Sequence, residues 1–243
     1  VTTRPVLACL PYAGGSARIY LPWQRRLATL ADTVAVELPG RGSRLRDLPV
    51  DRLPVLLDDL MARLAPYSGR PLILFGHSLG GLLAFELARL MRSRHGWLPA
   101  RLIVSGHRAP HLPMREARIH YLPDNQFIAR LRALDGTPEE VLGDAGLMRV
   151  LLPALRADFS VSERYRYAEA EPLSCPVTVL GGTADSDLPV GDLYAWARHT
   201  TRRCRTVLFP GGHFFLHTAE TAVLEEVSRE LIATEHSRVR TRA

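Results

Sequence analysis

The chain has 243 residues, 47% of them hydrophobic, with Lys+Arg 31 against Asp+Glu 25 and a formal net charge of +6. That length and apolar share fill the core of one large α/β domain and exclude a disordered or fibrous chain. The apolar runs are broken by Pro, Gly or Arg well short of the roughly 20 residues a bilayer span requires, so no membrane span is expected.

In chain order, short apolar segments bounded by turn residues read as buried strands at 6–10, 33–37, 72–75, 102–105, 177–180 and 206–209. Helical patterns lie at 23–30, 53–64, 82–91 and 193–199, and a last one at 219–232. Strands alternating with helices predict a mostly parallel central sheet covered on both faces. The interval 110–167 breaks the alternation. It offers helical patterns at 125–134 and 147–165 but no strand, and it is too long for a structureless loop inside a compact domain. It reads as an inserted helical subdomain. The chain is thereby divided into a first core part at 1–109, the insertion at 110–167 and a second core part at 168–234, followed by a polar, Arg-rich tail at 235–243 that is expected to fray.

Around Ser78 the order is apolar strand, then Gly76-His77-Ser78-Leu79-Gly80, then a helix-forming run. This is the G-x-S-x-G elbow in its strand–turn–helix setting, where small flanking residues let a sharply turned backbone pass close to its neighbours. A phosphate loop would end in G-K-[ST], and a dinucleotide fingerprint would need G-x-G-x-x-G. A nucleophilic serine needs a base, and the base needs an orienting acid. Asp185 and Asp187 follow the strand at 177–180, and His213 follows the strand at 206–209. Parallel strands present their carboxyl ends together, so all emerge on the edge that carries Ser78. Asp185 is preferred as the acid, with Asp187 as a possible cap of the helix near 189–190. His213 is preferred as the base and His217 is its rival. His77 reads as a packing or hydrogen-bonding residue beside the elbow, and His107 as lining the entrance. Two backbone amides are needed to hold a developing oxyanion. Leu79 N–H is one. Ala13 N–H, in the glycine-rich loop after the first strand, is preferred as the other, ahead of Tyr12 N–H.

Six stretches carry a family resemblance: LPYAGGSARIYLPW, VELPGRGSR, FGHSLGG, LLPALRADFSVSERYRY, GGTADSDLP and FPGGHFFL. With them the chain resembles the type II thioesterases, free-standing α/β-hydrolases associated with polyketide synthases and nonribosomal peptide synthetases. The resemblance implies an α/β-hydrolase fold and hydrolysis of acyl thioesters on the phosphopantetheine arm of an acyl or peptidyl carrier domain, clearing stalled acyl groups or releasing intermediates. It implies Ser78, Asp185 and His213 as the triad, the Ala13 and Leu79 amides as the oxyanion hole, and the insertion as a lid over the acyl channel. A lipase or carboxylesterase, or a non-catalytic carrier-binding protein, are the alternatives.

Neither metal nor bound cofactor is expected, since Cys9, Cys175 and Cys204 lack metal-ligand spacing and form no disulfide framework. The start VTTRPVLACLPY lacks the marks of a secretory signal, and a cytoplasmic setting is the default. Every basic side chain other than His is an Arg. No zinc-finger spacing or basic helix points to nucleic acid. Arg18, Arg41, Arg44, Arg115 and Arg118 are candidate contacts for an acidic carrier. Phe127, Leu131, Leu134, Leu151, Leu155 and Phe159 recur at helical spacing and are expected to form an apolar corridor.

Overall fold

The computed structural model describes residues 4–115, 117–134 and 136–242, the last seven of these by their backbone alone. Its six strands are β1 (Val6–Leu10), β2 (Asp32–Ala35), β3 (Leu72–His77), β4 (Arg101–Ser105), β5 (Val177–Gly182) and β6 (Cys204–Phe209). They form one sheet in the order β2-β1-β3-β4-β5-β6, and every pair is parallel. The helices are α1 (Leu21–Arg26), α2 (Leu53–Leu64), α3 (Leu79–His95), α4 (Asp124–Ala133), α5 (Glu139–Leu142), α6 (Ala145–Arg164), α7 (Val190–Tyr194), α8 (Phe215–Thr218) and α9 (Glu220–Arg242).

Side chains alternate across a strand, so each strand feeds two cores. Val6, Ala8, Leu72, Leu74, Leu102 and Val104 meet α2 and α3 on one face. Leu7, Cys9, Ile73, Phe75 and Ile103 meet Trp23 of α1 and Val223, Val227 and Leu231 of α9 on the other. The insertion has a separate cluster in which Phe127 and Leu131 of α4 pack with Met148, Leu152 and Leu155 of α6. Asp144 starts α6 by accepting the N–H groups of Gly146 and Leu147 at 2.8 and 2.9 Å.

The boundaries depart from the sequence pattern for local reasons. α3 begins at Leu79, earlier than the apolar run, because its first turn contains Gly80 and Gly81, which carry no apolar side chain. β2 ends at Ala35, after which Glu37 leaves the sheet and its carboxylate accepts the N–H groups of Ala17 and Ser43 at 3.0 and 3.4 Å. The pattern at 193–199 is a short α7 continued by a 3-10 turn at Ala195–His199. α5, with 4 residues, is too short to show a period. α9 runs past Ile232 to Arg242, so helical backbone extends through most of the segment read as a fraying tail.

Candidate active site

Ser78 sits between β3 and α3 with φ 53° and ψ −119°, the one non-glycine residue with positive φ among those described. Such a conformation costs energy and persists only where neighbours impose it. Here the Ser78 N–H donates to Ser105 O at 2.8 Å, and Ser78 O accepts from the Gly81 N–H at 2.8 Å. The flanking glycines make the turn possible. A Cβ on Gly76 would lie 1.9 Å from Gly80 O, and one on Gly80 would lie 2.2 Å from Leu10 O. Both obstacles are backbone and cannot swing aside. Gly80→Ala is therefore expected to destabilise the fold by about 3 kcal/mol or more, read as a lowered urea midpoint; a midpoint within error of wild type would refute the packing argument.

Asp185 lies in the turn after β5, and His213 in the turn after β6. The two turns are laced together by Thr183 N–H to Phe209 O and Ala184 N–H to Gly211 O, each 2.8 Å. Gly182 permits this approach, since a Cβ there would lie 2.3 Å from Gly212 O. His213 Nδ1 and Asp185 Oδ2 are 2.7 Å apart, with the Asp185 side chain 3% exposed and that of His213 32% exposed. A carboxylate only accepts, so Nδ1 carries the proton and Nε2 is left as an acceptor.

The rival residues have other positions. Asp187 does not cap α7, whose N-cap is Pro189 without a side-chain bond; its N–H donates to Asp185 Oδ1 at 3.3 Å. His217 lies in α8, which starts after His213, and its Nε2 is hydrogen-bonded to the Tyr12 hydroxyl at 3.1 Å. His77 is fully buried, its Nδ1 2.9 Å from Ser105 Oγ, with its ring against Tyr12, His213, Phe214 and Phe215. Burial, and then the neighbouring His213, push its pKa well below the usual range, so the ring is neutral. His107 lines the cavity, and its Nδ1 lies 2.7 Å from Arg108 O.

After β1 the chain turns at Tyr12–Gly15. Gly15 N–H donates to Tyr12 O at 2.9 Å, and Gly14 has φ 77°. The carbonyl and N–H of a trans peptide point in opposite directions. The bond on Tyr12 O therefore turns the Ala13 N–H away from the inside of the turn. Leu79 is the first residue of α3, so its N–H has no acceptor within the helix. Ala13, Leu79, Ser78 and His213 all line one cavity of about 670 Å³. Its apolar wall includes Leu131, Leu134, Leu155 and Phe159 of the expected corridor. Phe127 and Leu151 pack into the insertion's own core instead.

The five arginines divide. Arg41 is 4% exposed and forms a two-pronged ion pair with Asp158, so its reading as a carrier contact is corrected: charge alone does not reveal a buried partner. Arg44 is half-buried and ion-paired, with Asp59 at 2.7 and 2.8 Å and Asp47 at 2.7 Å. Arg115 pairs with Asp192 at 3.0 Å. Arg18 and Arg118 are exposed, and Arg118 lines the cavity. Among the described residues no three His, Cys, Asp or Glu side chains converge as metal ligands.

His111, on the cavity wall, places its Nδ1 2.7 Å from Nε2 of the buried His199. Burial first, then His111, Arg198 and Arg89, lower the His199 pKa from 6.5 to about 4, against a small opposing pull from Glu169. The folded value lies below the unfolded one, so as pH falls the unfolded chain takes the proton first. Stability is expected to decline between pH 6.5 and about 4 and to be unaffected by this group above that window. Urea unfolding across that range should show a shallower slope for His199→Gln; an identical slope would remove His199 from the account.

The Thioesterase domain family model matches residues 5–231. The structure of the type II thioesterase BorB from the borrelidin biosynthetic cluster superposes with a TM-score of 0.86 at 39% identity, covering 95% of this chain and 94% of that one. The chain belongs to the type II thioesterases. A second member of the group of similar structures, ClbQ from the colibactin NRPS/PKS pathway, gives a TM-score of 0.91 at 34% identity over 97% of this chain and 100% of its own. Linear gramicidin dehydrogenase LgrE of Brevibacillus parabrevis is 41% identical over 223 residues, 90% of this chain and 85% of that protein. The mostly parallel sheet expected from the strand and helix order, and the α/β-hydrolase architecture that the resemblance implies, are thus the architecture of this thioesterase.

Proposed function

We propose that Ser78 is the nucleophile of this type II thioesterase, His213 its general base and Asp185 the group that orients His213. As a member of that family the enzyme hydrolyses acyl thioesters on the phosphopantetheine arm of acyl or peptidyl carrier domains of polyketide synthases and nonribosomal peptide synthetases, removing stalled acyl groups. The observation that carries the assignment is the Asp185–His213 bond of 2.7 Å, with His213 on the wall of the same cavity that Ser78 lines from its elbow.

His213 Nε2 takes the Ser78 proton as Oγ attacks the thioester carbonyl. The Ala13 and Leu79 amides hold the oxyanion, and the carbon–sulfur bond breaks as the pantetheine sulfur leaves with the proton from His213. Water, deprotonated by the same ring, then attacks the acyl-serine and frees the acid. Asp185 stabilises the charged imidazole without taking its proton. Residues 110–167 act as the lid over the acyl chain, and Arg18 and Arg118 are retained as cations that steer an acidic carrier. We place the enzyme in the cytoplasm, where its free Cys9, Cys175 and Cys204 are at home. Among the described residues no helix is long and apolar enough to cross a membrane.

The dehydrogenase name of one relative suggests hydride transfer. In this chain the turn Gly76-His77-Ser78-Leu79-Gly80-Gly81 has a serine where a dinucleotide fingerprint has its second glycine, so that reading is not adopted. The test is mass spectrometry of an acyl-loaded carrier after incubation with the enzyme, beside an oxygen ester of the same acyl group. Loss of the acyl group from the carrier, faster than ester cleavage, is expected. Preferential ester cleavage would favour a carboxylesterase, and binding without acyl loss would favour a scaffold.

A further inference from the structure

Three separated motifs, PYAGG, PGRG and LRADF, meet at one buried ion pair. Asp158 of α6 and Arg41 have side chains 2% and 5% exposed. Arg41 Nη2 donates to Asp158 Oδ1 at 2.7 Å, and Nη1 donates to Oδ2. Oδ2 also accepts the Gly14 N–H at 2.7 Å, while Arg41 Nη1 donates to Gly15 O at 3.3 Å. We infer that Asp158 and Arg41 are positioning residues that hold the Tyr12–Gly15 turn so that the Ala13 N–H faces the reacting centre. This rests on the assignment of Ser78 and Ala13 made above.

The peptide groups of the turn support the inference one by one. The Tyr12–Ala13 peptide is held by Gly15 N–H on its carbonyl, the Ala13–Gly14 peptide by Asp158 on its N–H, and the Gly15–Ser16 peptide by Arg41 on its carbonyl. Two adjacent glycines would otherwise give this turn the widest choice of backbone conformations in the site. An oxyanion donor is effective only if it is aimed before charge develops. Stability alone is a weak reason for such a pair, because replacing a buried ion pair with apolar side chains of similar size is often neutral or stabilising. What apolar side chains cannot do is accept from Gly14 N–H and donate to Gly15 O. The pair also joins α6 to the turn, so the part of α6 near Asp158 is tied to the oxyanion loop.

The test uses the double variant Arg41→Met/Asp158→Leu, which removes both charges together, leaves no unpaired charge, and frees the Gly14 N–H and Gly15 O of the turn. It is expected to stay folded, with its thermal midpoint near that of wild type. Its kcat on an acyl-loaded carrier is expected to fall about 10- to 100-fold, less than the about 10²- to 10³-fold lost when an oxyanion donor is removed outright because the Ala13 amide is still present, while KM stays within about twofold. Affinity for a trifluoromethyl ketone bearing the same acyl chain should fall in parallel, because its adduct with serine places an oxyanion at the Ala13 amide. Affinity for the unreactive thioether of that chain should not change. If the double variant does not fold, Asp158→Asn, which keeps the side-chain shape, is expected to show the same split between kcat and KM. A folded variant with wild-type kcat, or one that loses thioether and ketone affinity alike, overturns the inference. Labelling of wild-type Ser78 by a fluorophosphonate separates the two claims. An unlabelled Ser78 overturns the nucleophile assignment and the inference with it, whereas a labelled Ser78 with undiminished kcat in the double variant overturns the inference alone.

Discussion

Replacing Ser78 with Ala is expected to lower kcat for acyl release from a carrier by about 10⁵- to 10⁶-fold, the scale seen when a triad serine is lost. The fold should survive. Ser78 makes its structural contacts through backbone, donating to Ser105 O and accepting from Gly81 N–H, and alanine keeps both. The positive φ of 53° is no harder for alanine than for serine, so the unfolding midpoint should stay close to wild type. Carrier binding should be equally untouched. Mass spectrometry of the loaded carrier reads the first expectation and thermal unfolding the second. A Ser78→Ala enzyme that still discharges the carrier within tenfold of wild type would require another nucleophile.

Asp185→Asn is expected to cost about 10⁴-fold in kcat, through the tautomer of His213. The carboxylate fixes the proton on Nδ1 through a bond of 2.7 Å, leaving Nε2 to receive the serine proton. An amide in its place can donate to Nδ1, which shifts the ring proton to Nε2 and removes the acceptor. Asp187 provides the control. It lines the cavity, two residues from Asp185, and is held through its backbone, an N–H donating to Asp185 Oδ1 and a carbonyl accepting from Arg108. Asp187→Asn should therefore stay within about threefold of wild type, a loss far below the about 10⁴-fold of an orienting acid. The two variants assayed side by side decide between the acids, and the opposite ranking would overturn the assignment.

The elbow was legible because its chemistry is local: strand, glycine, serine, glycine and helix lie within a few residues. The meeting of Asp185 and His213 is foreseeable for a different reason, since parallel strands deliver their following loops to one edge and the chain order limits the choice. The start of α3 was obscured by the glycines that the elbow requires, because a periodicity search sees no apolar side chain at Gly80 or Gly81. Arg41 shows where sequence reasoning stops. Its motif marks it as distinctive, but the partner that removes it from the surface, Asp158, lies 117 residues away. A charge met in sequence looks solvated until its partner is located. Arg44, half-buried between Asp47 and Asp59, has partners that its motif does not reveal either.

Leu155 belongs at once to the cavity wall and to the turn beneath it: its Cδ2 lies 2.4 Å from where a Cβ on Gly14 would stand. Leu131 and Leu134 line the same space from α4 and the residue that follows it. Divergence among enzymes built on this plan therefore has an open route and a costly one. With the acyl chain seated in this cavity, as proposed, exchanges at 131 and 134 are expected to change the accepted chain length while leaving catalysis intact. On the same proposal an exchange at 155 is expected to alter chain length and turnover together, so that selection for a new substrate passing through that position has to repair the rate elsewhere.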